Sequence, residues 1–435
     1  MTALLDRLWG SGHSAHVVGG AVRDWLLGRP ASDWDVATDA RPERMLELFP
    51  AGRYENRFGT VTINGVEVTT YRRDHQYADH RRPDSVTFSD DIGEDLARRD
   101  FTVNAIAWGR SANEMQSHWY DPTDGRADLA ARVLRAVGEP DRRFDEDSLR
   151  LVRAARLAGQ LDFTIESATL AAMQRAAPLV QYVSRERLGN ELRRMLKADM
   201  PSTGLRLLAD TGLLAHALPL LDAQRGVPQD KRPGDDLWAH SLAALDAAAS
   251  FDDSTDRIRL AALLHDVGKP STFADGHFVG HDVEGARLAA ELLSSLAFGR
   301  REIEPLARLI GHHMFQYLPN WTDAAVRRFV RRVGPDLVMD QLRLRQADNI
   351  GSGLPADAGR LTELRDRVKA VLDRHEPLGL RDLAIDGRIL TAELGMSPGP
   401  DVGRLLEHLL EFVIAEPARN SREQLLEEAR AEVAR

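Results

Sequence analysis

The chain has 435 residues, 43% hydrophobic and 29% charged, with a formal net charge of −10, the composition of a globular protein of about two to four structural units. No stretch reaches the ~18 uninterrupted apolar residues of a membrane span, and Asp6 and Arg7 break what would be the apolar core of a leader, so a cytoplasmic location without a membrane partner is expected. Cysteine is absent, which excludes disulfides, thiolate zinc sites and cysteine nucleophiles and leaves His and carboxylate groups to hold any metal.

Up to about Phe101, short β-type runs at residues 16–18, 61–63 and 66–71 alternate with helical segments and predict an α/β head. From about Phe144 onward helix-period segments dominate, as at residues 149–161 and 186–196. Pro, Gly and charge at residues 224–236 mark a linker, and residues 351–359 mark a second break. The expected fold class is α+β: a small mixed α/β head, an all-helical neck and further helical units.

The most informative stretch is Gly19-Gly20-Ala21-Val22-Arg23, followed by Asp33-Trp34-Asp35-Val36. A Gly-Gly step after a strand lets backbone N–H groups approach a triphosphate without Cβ interference, the helix behind it offers its positive end, and Arg23 adds charge one turn in. Asp33 and Asp35, two apart in an expected strand, would point to one face and grip Mg²⁺ together. Two metals about 3.5–4 Å apart would activate an attacking hydroxyl and neutralise a leaving pyrophosphate, which is the chemistry of nucleotidyl transfer. Taken singly, a Gly-Gly is usually a turn and an Asp-x-Asp usually a solvated loop; their combination around Arg23 carries the inference. Glu67 reads either as a further carboxylate near the metals or as a solvent-facing strand residue.

This run resembles the first signature of the class II CCA-adding tRNA nucleotidyltransferases and their bacterial poly(A) polymerase relatives. Arg98-Arg99-Asp100-Phe101-Thr102-Val103-Asn104-Ala105 resembles the second motif of that family, and the resemblance implies that Arg99 contacts the nucleotide. Asp121-Pro122 through Gly125, with Asp128-Leu129, resembles the third, read here as a structural turn. Residues 71–88, polar and charged, resemble the loop used for switching from C to A addition, with Arg81-Arg82-Pro83 fitting its pattern.

Asp147, Arg150, Arg153 and Arg156, spaced three apart, stack along a helical stripe that by itself is an ordinary charged face worth a few tenths of a kcal/mol per pair. The stretch resembles the Glu-Asp-x-x-Arg motif of the same family, which implies base reading. A carboxylate accepts from an exocyclic amine while a guanidinium donates to ring acceptors, an edge that cytosine and adenine share. Uracil and guanine present carbonyl oxygens where Asp147 needs a donor, at a cost on the order of a few kcal/mol. Arg153 and Arg156 would contact the triphosphate or stack beneath the base. Ser184-Arg185-Glu186-Arg187 with Glu191-Leu192 resembles the next motif, read as helix capping and packing.

Further on, His240, His265-Asp266 in His265-Asp266-Val267-Gly268-Lys269, and Asp348 stand in the order of HD-superfamily metal sites, with His281 and His312 as two further ligands and His313 as the alternative to His312. Such ligands suit Mg²⁺ or a divalent transition metal able to polarise a phosphate ester. The resemblance implies phosphatase or 2′,3′-cyclic phosphodiesterase activity, with a degenerate, fold-holding site as the bland reading. Lys269, one of only four lysines, sits inside this string.

Arg327, Arg328, Arg331 and Arg332 could track phosphates or form a solvated face. Residues 396–406 and 420–426 resemble the family's helical tail, expected to grip tRNA. The expected layout is therefore a nucleotidyltransferase head at 1–140, a base-selecting neck at 141–223, an HD-type domain at 224–350 and a tRNA-binding tail at 351–435. The implied activity is addition of CCA to tRNA from CTP and ATP with Mg²⁺. The alternatives are poly(A) polymerase, a CC-only or A-only enzyme, and, from another class, an HD phosphohydrolase or RNA-binding regulator with an inactive head.

Overall fold

The structure, a computed structural model, describes every residue except Ser32, Arg57, 76–84, Asp230 and Pro233, and the side chain of Asn56. The chain divides into two compact units, one of Met1–Asp222 with Ser295–Ala297, the other of Ala223–Ser294 with Phe298–Arg435.

The first unit opens with a mixed sheet. Its strands are β1 (Ala15–Val18), β2 (Asp35–Thr38), β3 (Arg53–Asn56), β4 (Thr60–Ile63) and β5 (Val66–Thr70). A separate hairpin of β6 (Arg72–His75) and β7 (Ser85–Phe88) follows, and β8 (Ala107–Arg110) and β9 (His118–Tyr120) return to the sheet. The sheet order is β3-β4-β5-β2-β1-β8-β9, with β2 and β5 parallel and the other neighbours antiparallel. All four residues of β1 are buried, as suits a strand covered on both faces. Val18, Ala37, Tyr71, Leu96, Ala105 and Ala107 form a core that anchors the strand ends carrying the site. The three β-type runs read from sequence are β1, β4 and β5.

The rest of this unit is helical apart from a two-residue parallel pairing of Val133–Leu134 with Thr164–Ile165. The helix Leu149–Leu161 packs against Arg185–Leu196 and Pro201–Asp210, burying the apolar rows at Leu151, Leu157, Leu188 and Leu192.

In the second unit Leu237–Ala249 packs on Asp256–Leu264 and Val338–Gly351. Asp236 caps the first of these helices through the Ala239 N–H and Thr255 caps the second through Ile258. The tail helices Gly387–Leu394, Pro400–Ala415 and Arg422–Val433 close on their own core of Leu390, Leu405, Leu409, Val413 and Leu425. Among the described residues, no helix is long and apolar enough to cross a membrane.

Candidate active site and metal centre

At the end of β1, Gly19 takes φ 82, a conformation open to glycine, and a Cβ there would lie 3.0 Å from Arg99 Nη1 and 3.5 Å from Asp35 Oδ2. Gly20 begins the helix Gly20–Leu26. Buried Arg23 is aimed by its Nε donating to Asp24 Oδ1 at 2.8 Å and its Nη1 to Asn104 Oδ1 at 2.8 Å. Asp35 opens β2 directly opposite Glu67 of β5. Burial pushes the Asp35 carboxyl up to about 6, Arg99 opposing and Glu67 and Asp33 adding to the rise. Asp33 departs from expectation: it precedes the strand in a bend, exposed and at φ 52, so strand alternation does not align the pair. Both aspartates nonetheless line one cavity of about 650 Å³, together with Gly19, Gly20, Arg23, Arg99, Arg153 and Arg156.

A second cavity of about 340 Å³ is lined by Asp35, Glu67, Arg99, Asp147, Arg150, Arg153 and Arg187. Both cavities share Asp35, Arg99, Asp100 and Arg153. Arg99 reaches Asp95 Oδ2 at 3.3 Å through Nη2, while its buried Nε has no partner among the described residues. Asp147 stands not on the helical stripe but just before it, in extended backbone between Pro140–Glu146 and Leu149–Leu161. Arg150 Nη1 donates to the Arg143 carbonyl at 3.0 Å and Glu146 Oε2 at 2.8 Å, and Nη2 to the Arg98 carbonyl at 3.0 Å. Three of about five guanidinium N–H groups are thus engaged, which fixes the group and leaves about two donors. Arg153 pairs with Asp100, and Arg156 donates from Nε to Glu191 Oε2 at 2.5 Å.

Asp100, Glu191, Glu146 and Arg187 carry no site role in the sequence reading. Each nonetheless lies in a motif read from the sequence: Asp100 in the second, Glu146 in the Glu-Asp-x-x-Arg stretch, and Arg187 and Glu191 in the next one, which was read as helix capping and packing. The third motif is a turn, with Asp121 accepting from the N–H groups of Gly125 at 2.7 Å and Arg126 at 2.9 Å. Arg81-Arg82-Pro83 lies outside the described residues; β6 and β7 flank that segment.

In the second unit two buried groups of ligand-type atoms converge, His240 with His265 and Asp348, and Asp266 with His281 and His313. Asp266 faces both. Its Oδ2 lies 3.4 Å from His240 Nε2 and 3.2 Å from His265 Nε2, and its Oδ1 lies 3.4 Å from His281 Nε2 and 3.5 Å from His313 Nε2. The Nδ1 atoms of His265, His281 and His313 lie 2.8, 2.7 and 2.7 Å from the carbonyls of Ala262, Phe278 and Ile310. Donation there leaves each Nε2 lone pair facing inward, the tautomer a metal requires. Imidazole Nε2 atoms only 3.1 Å apart, as in His240 and His265, suit a shared cation, so the donor set fits a divalent metal. Burial works to lower the His265 pKa, yet Asp266 and Asp348 hold it up at about 9, so a metal taken up at its Nε2 would have to displace a proton.

His312 does not join this centre. It closes the helix Arg300–Gly311, half-buried, and its imidazole pKa is lowered by burial and by Arg332 and Arg308. The chain turns as it leaves the helix, so the neighbouring His313, only 3% exposed, is the residue that enters the cluster. Three of the four arginines of Asp323–Val333 are also committed elsewhere: Arg327 holds the Ile414 carbonyl and Glu376, Arg328 holds Glu411, and Arg331 holds Glu407 and Glu411, while Arg332 lies over the Phe329 ring. The first three join this helix to the tail.

A strand-borne carboxylate beside a Gly-Gly turn, a basic cleft with an Asp/Arg pair and a His/Asp centre in the second unit define a nucleotidyltransferase carrying an HD domain. The Poly A polymerase head domain family matches residues 15–135, the family described as the probable RNA and SrmB-binding site of polymerase A matches 162–225, and the HD domain family matches 237–378. The CCA-adding enzyme of Streptococcus mutans is 32% identical over 99% of this chain and 96% of its own length. That of Latilactobacillus sakei is 33% identical over 98% and 96%. The crystal structure of the Bacillus stearothermophilus CCA-adding enzyme in complex with CTP superposes with TM-score 0.75 at 27% identity, covering 99% of this chain and 97% of that one. The Thermotoga maritima CCA-adding enzyme complexed with tRNA shares the fold, with TM-score 0.58 at 19% identity over 99% and 94% of the two chains. The chain belongs to the CCA-adding enzymes.

Proposed function

We propose that this chain rebuilds the 3′-terminal CCA of tRNA without a nucleic-acid template, joining the tRNA 3′-hydroxyl to the α-phosphorus of CTP or ATP and releasing pyrophosphate. The observation that carries the reading is the junction of the two cavities at Asp35. One holds the Gly-Gly turn and Arg23 and suits a triphosphate; the other holds Asp147 and Arg150 and suits a base. Relatives whose descriptions name CTP and tRNA support the same substrates.

Asp33 and Asp35, with Glu67 facing Asp35, are the residues that would hold Mg²⁺. Divalent ions there would supply charge neutralisation at the attacking and leaving oxygens. The chain's own groups do the rest. Backbone at Gly19 and Gly20 admits the phosphates closely, Arg23, Arg99 and Arg156 complement their charge, and Arg153 lines both the base and the phosphate cavity. Arg150 offers fixed donors to ring acceptors and Asp147 an acceptor to the exocyclic amine, so a base without that edge leaves a polar group unpaired.

For the second unit we propose a phosphohydrolase acting on RNA ends, as a phosphatase or 2′,3′-cyclic phosphodiesterase. His240, His265, Asp266, Asp348, His281 and His313 would hold Mg²⁺ or a divalent transition metal, and Lys269, whose Nζ lies 2.6 Å from Asp266 Oδ2, lines the same cavity of about 350 Å³. For such substrates we propose a cytoplasmic location.

The decisive experiment incubates the purified protein with tRNA ending before CCA, Mg²⁺, and CTP and ATP singly and together, at one-nucleotide resolution. Ordered CC then A addition that stops, and that is lost in Asp33→Ala, is the expected result. Open-ended A tails, CC alone, A alone, or no extension would replace it with the polymerase, a partial enzyme or an inactive head.

A further inference from the structure

The base-reading carboxylate is itself held from behind. Asp147 Oδ1 accepts from the Leu149 N–H at 3.1 Å and from Arg187 Nη1 at 3.1 Å, and Oδ2 accepts from Arg187 Nη2 at 2.7 Å. A carboxylate offers about four lone-pair positions. Three donors therefore leave about one, on Oδ2. Arg187 comes from a separate element, the helix Arg185–Leu196, and its two nitrogens meet the two oxygens in the fork geometry that sets the plane of the carboxylate as well as its place. It also lines the same cavity as Asp147 and Arg150.

We infer that Arg187 is a positioning residue that sets base specificity, by reducing Asp147 to a single acceptor of fixed direction. The inference rests on the base reading assigned to Asp147 and Arg150. The terminal torsion of an aspartate is broad, so without the fork only the Leu149 N–H, among the described residues, would restrain the carboxylate. A carboxylate free to turn, with about three open acceptor positions, can accept from uracil N3–H or guanine N1–H as readily as from the amine of cytosine or adenine. The fork removes that freedom. One acceptor aimed at one place meets the amine of cytosine or adenine and meets a carbonyl oxygen of uracil or guanine, where no hydrogen bond forms.

The test compares the full-length wild type with Arg187→Ala, Arg187→Lys and Asp147→Asn, measuring kcat and KM for CTP, ATP, UTP and GTP on tRNA lacking its terminal nucleotides. In Arg187→Ala, kcat/KM for UTP and GTP relative to CTP and ATP should rise at least about tenfold, with KM for tRNA unchanged. Arg187→Lys keeps a point charge but no fork, so it should recover the rate of C and A addition more than the discrimination. A uniform loss for all four nucleotides, or unaltered ratios, overturns the inference. If Arg187→Ala does not fold, Arg187→Lys decides: normal discrimination at a retained rate overturns it. Asp147→Asn separates the two levels. Unaltered discrimination there means that the base reading itself fails, whereas altered discrimination there with none in the Arg187 variants removes only the role of Arg187.

Discussion

Arg153 donates twice to one oxygen of Asp100, from Nε at 2.9 Å and from Nη2 at 2.7 Å. The pair ties the helix Leu149–Leu161 to the segment that carries Arg99, and both residues line both cavities of the head. Burial works against the Asp100 carboxylate, but Arg153 and Asn104 hold its pKa far below the usual range. Asp100→Ala should destabilise the protein by about 3 kcal/mol, the low end for breaking a buried pair because Arg153 keeps partial solvent access. Thermal unfolding checks the loss, and nucleotide addition should fall with it.

Asp35→Asn should separate stability from activity. Its carboxyl, raised to about 6 by burial and its acidic neighbours despite Arg99, is costly to ionise in the metal-free protein. Removing that charge should leave the unfolding free energy equal or higher, by about 1–2 kcal/mol once partial exposure is discounted, while CMP and AMP incorporation disappears. A variant that loses both would point to a structural role.

His16, fully buried on β1 with its Nδ1 2.5 Å from the Tyr71 hydroxyl, gives the head a pH dependence unrelated to catalysis. Burial lowers its pKa from 6.5 to about 4, with His118 lowering it too and Glu114 and Asp39 working the other way. The unfolded chain takes up this proton below 6.5 and the folded chain only near 4, so the contribution is complete above 6.5 and is lost as pH falls towards 4. The loss should reach about 3 kcal/mol. Unfolding titrations of wild type and His16→Gln between these limits should converge at low pH.

The His/Asp centre yields a paired comparison. His313→Ala should weaken divalent-metal binding at least about tenfold by calorimetry or elemental analysis, whereas His312→Ala should leave it unchanged. Removing the metal with a chelator should abolish phosphate-ester hydrolysis.

Arg331→Ala should behave as a surface ion-pair variant, since its partners are Glu407 and Glu411. Stability should fall by about 1 kcal/mol or less, and the salt dependence of tRNA binding should not move.

Sequence alone determined the elements and the chemistry that depend on short spacing. Hydrophobic period marks β1, β4, β5 and the helix Leu149–Leu161, because alternation and 3.6-residue repeats are local properties of the chain. Gly19-Gly20 and Asp35 stood out for the same reason, each being a residue type that its chemistry demands at a fixed local offset, whereas Arg99 and the His265-Asp266 string were singled out through the family resemblance. What needed the tertiary structure is whatever depends on where separate elements meet. Asp33 reaches the cavity through a bend rather than along a strand, His313 displaces His312 because the chain turns at a helix end, and Arg328 and Arg331 are satisfied by Glu407 and Glu411 some 80 residues away. Arg187 meets Asp147 across 40 residues of chain. A guanidinium binds whichever carboxylate packing brings within about 3 Å, and that choice is made by the arrangement of helices, which no local spacing records.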